Sequence, residues 1–400
     1  MNTDPSQPAQ NVPPLGIYIH IPFCQSKCHY CAFVSGPARS EEAIDRYVQA
    51  IQRHLVLDAA HCASREIHSV FLGGGTPSSI GAERLDSILQ TLQTHFQLGS
   101  GAEITVEVNP ESTSPAFFAQ LRQAGVNRVS MGAQSFSPEI LHRLGRIHSV
   151  EAIATCVRDA RVAGMDSVSL DLIFGIPGQT LADWRNTLQR ALETPIDHLS
   201  AYGLSYEEGT RFHHWLQTGA VTAVLEETFC AMYDETQTYL RQRGWVQYEI
   251  SNWCKPGKEC RHNLLYWNRD EYLALGVSGY GMYNNRLYGL IPDQARYVTA
   301  LEHLAPHGGS PFPIPGLLQE NRGLSAEEMA SDRMIFGLRK CQGVSRRWFL
   351  KRTGYDPHAR WALAIEELQQ AGMLVVEADR IRLAESAFLL SNEVFEKFLD

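Results

Sequence analysis

The 400-residue sequence predicts an α/β fold: a parallel sheet curved into an open, partial (β/α)6 barrel, followed by a small winged-helix-like α+β domain. Three observations predict it. Six short apolar or alternating runs, at about 17–21, 69–72, 103–108, 127–131, 167–174 and 198–204, read as strands. Helical stripes separate them, for example Ile44, Tyr47, Val48, Ile51 and Leu55, then Leu85, Ile88, Leu89, Leu92 and Phe96. The polar residues best suited to chemistry fall at or just after the strand ends, where barrel enzymes place their sites.

Taken in order, Ile17–Ile21 alternates with Tyr18 and His20 and leads directly into Cys24, Cys28 and Cys31, a C-x3-C-x2-C loop. A cubane cluster normally takes four thiolates, so three leave one iron open for a small molecule. Zinc, with His20 or His29 as fourth ligand, is the competing reading, although zinc sites usually pair C-x2-C with a second ligand pair farther on. The second strand ends in Gly73, Gly74 and Gly75, then Thr76, and glycines there let backbone groups approach a ligand that a side chain would block. Glu107 closes the third strand, Gln134 follows the fourth, Arg146 lies shortly beyond, and Asp171 sits near the end of the fifth. Glu107 alternates with Val106 and Val108, and Asp171 with Leu170 and Leu172. If the apolar sets face the helices, both carboxylates face the lumen. A buried carboxylate without a partner is expensive, so either a ligand or a pairing with Arg146 should satisfy them.

Farther on, HNLLYW (His262 to Trp267) offers an imidazole and the flat apolar faces of Tyr266 and Trp267, flanked by Cys254 and Cys260. Residues 305–323 concentrate Pro and Gly and read as a linker. The final domain opens with a capping box at Ser325, then a helix carrying Met329, Ile335 and Leu338; a helix near 359–371, a hairpin near 374–383 and a terminal helix follow. Its would-be reading helix carries one Arg against two Glu, and residues 344–400 hold 8 Lys plus Arg against 9 Asp plus Glu. Without a basic stripe, nucleic acid is not the expected partner, and a lid over the barrel or a partner surface is.

The whole chain has a net charge of −9, with 44% hydrophobic and 20% charged residues, an ordinary globular balance. No apolar run reaches the roughly 20 residues that span a bilayer, and the N-terminus lacks a secretory apolar core, so a cytoplasmic location is expected. Nine cysteines without a framework spacing suit a reducing compartment; Cys62, Cys156, Cys230 and Cys341 read as small buried hydrophobes.

These motifs together resemble the oxygen-independent coproporphyrinogen oxidase-like group of radical SAM proteins, and within it the HemW heme-chaperone branch, from about Leu15 to Gly281 and more loosely beyond. Two features select the branch: Phe33 stands two past Cys31, where the true coproporphyrinogen dehydrogenase carries a fourth cysteine, and HNLLYW matches an H-N-x-x-Y-W element. The resemblance implies a 4Fe-4S cluster on Cys24, Cys28 and Cys31. It implies S-adenosylmethionine at Tyr18, Phe33, Gly73, Gly74, Gly75, Thr76, Glu107, Gln134, Arg146 and Asp171, with one-electron cleavage of the sulfonium to a 5′-deoxyadenosyl radical. It implies heme at His262, Asn263, Tyr266 and Trp267. Tyr280 departs from the family's usual histidine.

The implied partners are heme, a heme-acceptor protein, and an electron donor if the cluster is reduced. Contact with membrane-bound acceptors and homodimer formation stay open. The function implied is heme transfer to acceptor proteins, the alternative being a radical enzyme acting on a porphyrin, either the coproporphyrinogen dehydrogenase or a heme-modifying enzyme; whether S-adenosylmethionine is turned over stays open. The organisation expected is a disordered 1–14, a barrel at 15–245, an extension at 246–304, the linker at 305–323 and the C-terminal domain at 324–400.

Overall fold

A computed structural model describes residues 14–62, 65–304 and 312–399. The six expected strands are present as β1 (Leu15–Ile21), β2 (Glu66–Gly74), β3 (Gln97–Val108), β4 (Arg128–Gln134), β5 (Ser167–Phe174) and β6 (His198–Gly203), all parallel and adjacent in sequence order. The crossovers are α1 (Glu41–Cys62), α2 (Ala82–His95), α3 (Pro115–Gln123), α4 (Pro138–Leu144), α5 (Val150–Val162) and α6 (Leu181–Leu192). After β6 come α7 (Arg211–Gln217) and α8 (Glu226–Arg241).

Residues 246–304, expected as an extension, extend the same sheet at both edges. β7 (Val246–Glu249) and β8 (Asn252–Cys254) form a hairpin antiparallel to β6. The chain then crosses through α9 (Arg261–Asn268) to the opposite edge, where β9 (Glu271–Leu275) runs parallel to β1 and β10 (Tyr280–Tyr283), β11 (Arg286–Leu290) and α10 (Gln294–His303) follow. The sheet ends in β12 (Leu318–Gly323), antiparallel to β11. That strand corrects the linker reading of 305–323: Ile314 and Leu317 are buried and 318–323 pair along the edge, because a Pro/Gly-rich approach does not prevent a following run from adding a strand; residues 305–311 lie outside those described.

Strand parity follows the sequence. Ile17, Ile19, Val70, Leu72, Val106, Val129, Leu170, Leu172 and Leu199 are buried under the helices, and the alternate positions, Tyr18, Phe71, Glu107, Ser130, Asp171 and Ser200, line the lumen. Of the four cysteines expected to be buried, Cys62 and Cys156 are, whereas Cys230 and Cys341 are half-buried, since helix periodicity names a face without fixing how completely it is covered.

The last domain opens with α11 (Ala326–Leu338), whose capping box pairs Ser325 with Glu328 as expected. Then come β13 (Val344–Ser345), α12 (Arg346–Thr353), α13 (Pro357–Arg360), α14 (Ala362–Gln370), β14 (Leu374–Val376), β15 (Arg380–Leu383) and α15 (Ser391–Glu396), with a small β13-β15-β14 sheet. The single helix expected over 359–371 is broken at Trp361, whose φ and ψ of −119° and 37° leave the helical region while its ring packs on Phe349 and Phe398. The domain seats on α9: Trp267 stacks on Phe336 at 6.2 Å, Arg339 lies over Trp267, and Arg269 pairs with Asp332 at 2.6 Å. Among the described residues no helix is long and apolar enough to cross a membrane.

Candidate functional site

Two adjoining cavities occupy the lumen. The outer one, about 560 Å³, is lined by Cys24, Cys28, Cys31, Phe33, Gly74, Gly75, Thr76, Glu107, Gln134, Arg146 and Asp171, so residues from five separate strand ends meet as their positions predict. The inner one, about 310 Å³, shares Phe33, Glu107, Ser130, Asp171 and Tyr202 with it and adds Tyr18, Phe71, Arg128, His198, Asn263 and Tyr266.

The cysteine loop suits thiolate ligands. The Thr76 hydroxyl donates to Cys24 Sγ at 3.5 Å, Arg146 donates to Cys28 Sγ at 3.4 Å, and the Ser35 hydroxyl lies 3.9 Å from Cys31 Sγ. Burial pushes the Cys24 thiol up, and the Thr76 and Ser35 hydroxyls oppose that shift. The three sulfurs line one cavity, each with a polar neighbour, and thiolate is the donor type an iron–sulfur cluster takes; among the described residues no three such side chains are gathered closely enough to hold a metal ion as they stand. Of the histidines of the zinc alternative, His20 is engaged at both nitrogens, with the Val34 carbonyl at 2.9 Å and the Tyr18 hydroxyl at 3.1 Å, while His29 bonds the Arg143 carbonyl at 3.0 Å through Nδ1.

The glycine triplet has a packing reason beside any ligand. Gly75 N–H donates to the Ile21 carbonyl at 2.8 Å, and a Cβ there would sit 2.8 Å from that oxygen and 2.7 Å from the Phe23 carbonyl. Gly74 has φ +107°, and a Cβ on it would meet the His20 ring at 2.5 Å. The loop thus presses on the root of the cysteine loop, and its amides are spent within the protein.

Glu107 accepts from Gly74 N–H at 3.0 Å, while Asp171 accepts from the Ser130 hydroxyl at 3.1 Å. Burial, with the Asp171 charge adding to it, pushes the Glu107 carboxyl up to about 8. Burial also raises Asp171, against the Ser200 and Ser130 hydroxyls. Neither carboxylate pairs directly with Arg146, which instead donates to Asn109 Oδ1 and the Gly132 carbonyl, both at 2.7 Å. The pairing offered as the alternative to ligand binding is therefore not made. Gln134 is 8% exposed with φ +62°, a left-handed conformation that a non-glycine residue adopts at a cost and that turns the chain at the cavity wall.

HNLLYW lies at the far end of the lumen from the cysteine loop. It falls within the helix α9, which lies across the lower ends of the strands: Leu265 packs on Gly16 and His262 on Ser69, both early in their strands. The Glu103 carboxylate of β3 accepts from the first two amides of α9, Arg261 N–H at 3.2 Å and His262 N–H at 3.1 Å. His262 has no exposure; its Nδ1 is 2.8 Å from the Ser69 hydroxyl and its Nε2 2.9 Å from the Tyr266 hydroxyl, and burial lowers its pKa to about 3. His262, Asn263 and Tyr266 all border the inner cavity, whereas Trp267 faces the C-terminal domain, so three of the four residues share one surface and the fourth does not. Cys254 and Cys260 are buried, and the Cys260 thiol donates to Glu103 Oε1 at 3.5 Å.

The motif reading missed Arg128, Ser130, His198, Ser200, Tyr202 and Asn109. The same alternation that placed Glu107 inside would have found the first five, since each is the polar member of an alternating strand pair.

The Radical SAM superfamily profile matches residues 18–191, and the HemN C-terminal domain profile matches 324–390. Heme chaperone HemW of Mycobacterium tuberculosis (strain H37Rv) is 34% identical over 392 residues, 96% of this chain and 95% of that one. HemW of Bacillus subtilis (strain 168) is 32% identical over 383 residues (96% and 98%), and that of Escherichia coli (strain K12) 33% over 390 (97% and 99%). The structure of coproporphyrinogen III oxidase (HemN) from Escherichia coli, a radical SAM enzyme, superposes with a TM-score of 0.82 at 22% identity, covering 96% of this chain and 90% of that one, a likeness of fold.

Proposed function

The chain belongs to the HemW heme-chaperone family of the radical SAM superfamily, and from that premise we propose that it carries a 4Fe-4S cluster, binds S-adenosylmethionine beside it, and takes up heme for transfer to an acceptor protein. Cys24, Cys28 and Cys31 would hold the cluster. When bound, it supplies a single electron to a neighbouring sulfonium.

The chain's own residues do the positioning. Gly74 sets Glu107 by its amide, and Ser130 sets Asp171, so that two acceptors face the cavity where ribose hydroxyls and a cationic sulfonium would sit. Arg146 ties the Cys28 sulfur to the end of β4 through Gly132, which couples cluster position to the cofactor wall. Tyr18, Phe33, Gly73, Gly75, Thr76 and Gln134 complete that proposed wall.

The observation that carries heme trafficking over porphyrin oxidation is the similarity to heme chaperones along nearly the whole chain, with Phe33 where the dehydrogenase has a cysteine. Anaerobic reconstitution followed by three separate assays tests it. We expect heme retained near one equivalent per chain and no protoporphyrinogen formed from coproporphyrinogen III. Turnover well above a cluster-free control would replace the chaperone by an enzyme of porphyrin metabolism, and deoxyadenosine release would report whether the cofactor is consumed.

A further inference from the structure

The cargo's expected iron ligand and the structure disagree. An imidazole can bind iron only through a ring nitrogen with a free lone pair, and both nitrogens of His262 are engaged, one with Ser69 and one with Tyr266, on a residue that has no exposure. Opening it would break both bonds, on a helix seated so close to β1 that a Cβ at Gly16 would meet Leu265 at 2.6 Å. Lifting the helix itself to make room would break the Glu103 cap on its first amides and the seat of the C-terminal domain on Trp267. The inner cavity, whose wall His262 joins, holds about 310 Å³, at the low end of small-molecule pockets, and shares five lining residues with the outer one.

We infer that His262 is a positioning residue in a plug that closes the lower end of the barrel, and that it fixes the aromatic wall of the inner cavity instead of ligating heme iron. The geometry gives the wall its order: Tyr266 meets His262 edge-on with ring centres 5.0 Å apart, His262 stacks on Phe71 at 5.3 Å, and Phe71 stacks on Tyr18 at 6.3 Å. The row runs from the plug to the residue proposed to touch S-adenosylmethionine. The imidazole stays neutral at physiological pH, so one nitrogen donates and the other accepts, and Ser69 and Tyr266 are held together by a single tautomer. His262 thus reaches the cofactor site through Phe71 and Tyr18 and bears on the shape of the inner cavity.

The inference deepens the function proposed above, resting on its assignment of the outer cavity, and two measurements separate their failures. Diethylpyrocarbonate labelling with peptide mapping, on the full reconstituted chain without heme, compares His262 with His214 on the exposed side of α7. We expect His262 to react at least about 100-fold more slowly, as local opening by a few kcal/mol would give. Labelling at a similar rate would overturn the plug. The second measurement reads ferric heme and cofactor affinity in Tyr266→Phe and His262→Gln. Tyr266→Phe leaves His262 in place but frees its Nε2. An iron ligand so freed would bind heme more tightly and sharpen a low-spin spectrum, which would overturn the inference. A positioning residue would leave the heme spectrum unchanged and weaken S-adenosylmethionine several-fold in His262→Gln, which takes a ring out of the row, with less loss in Tyr266→Phe, which keeps its ring. Absence of heme binding in the wild-type chain would refute the trafficking function, while the labelling comparison would still decide the plug.

Discussion

Glu107→Gln isolates the ionisation on which the proposed cofactor pocket depends. The carboxyl is pushed from 4.5 to about 8 by burial and by Asp171, so at pH 7 about nine in ten copies are protonated. Ribose hydroxyls and a sulfonium favour the ionised form, and binding must therefore expel a proton whenever the pH lies below about 8. Each pH unit below that value costs about 1.4 kcal/mol, so wild-type affinity for S-adenosylmethionine should rise about 50-fold between pH 6 and pH 8. Glu107→Gln keeps an acceptor for Gly74 N–H and cannot ionise; its affinity should be lower at pH 8 and nearly flat with pH. Anaerobic titration calorimetry in two buffers of different protonation enthalpy measures both the affinity and the proton released. Flat wild-type affinity with no buffer dependence would refute the reasoning, and an unchanged slope in Glu107→Gln would move the titration to Asp171.

The same carboxyl bears on stability with a definite sign. Its folded value lies above the ordinary one, so its contribution is full below about 4.5 and is lost as pH rises through about 8; thermal melts of the apo-protein should show Glu107→Gln gaining on the wild type across that window. Single Cys24, Cys28 or Cys31→Ala variants should lose iron and sulfide while keeping their circular dichroism, because the core lies outside the loop; full occupancy in all three would rule out the cluster. Gly74→Ala, forced against the His20 ring at positive φ, should destabilise by roughly 1–3 kcal/mol and lower cluster content, as urea unfolding and iron analysis would show. Glu103→Ala uncaps α9 and leaves buried Arg128 without its nearest carboxylate, 4.0 Å away; a loss of about 2–4 kcal/mol is expected, with less in Glu103→Gln, and equal stability of both to the wild type would deny α9 its cap.

Sequence alone determined the six strands, the side each residue faces and the convergence of the cysteine loop, glycine turn, Glu107, Gln134, Arg146 and Asp171, since alternation of period two and the strand-end rule are local properties that need no partner. The capping box at Ser325 was legible for the same reason. Only the tertiary structure decided where HNLLYW packs. Its eight-residue helix has little stripe of its own, and its burial depends on Ser69, Glu103 and Gly16, some 160 to 250 positions away. Equally non-local is the edge strand β12, whose polar sequence pairs because β11 offers a free ladder. A histidine's ring reads identically in sequence whether its nitrogens are open or spent; the long-range bonds of His262 are what close it.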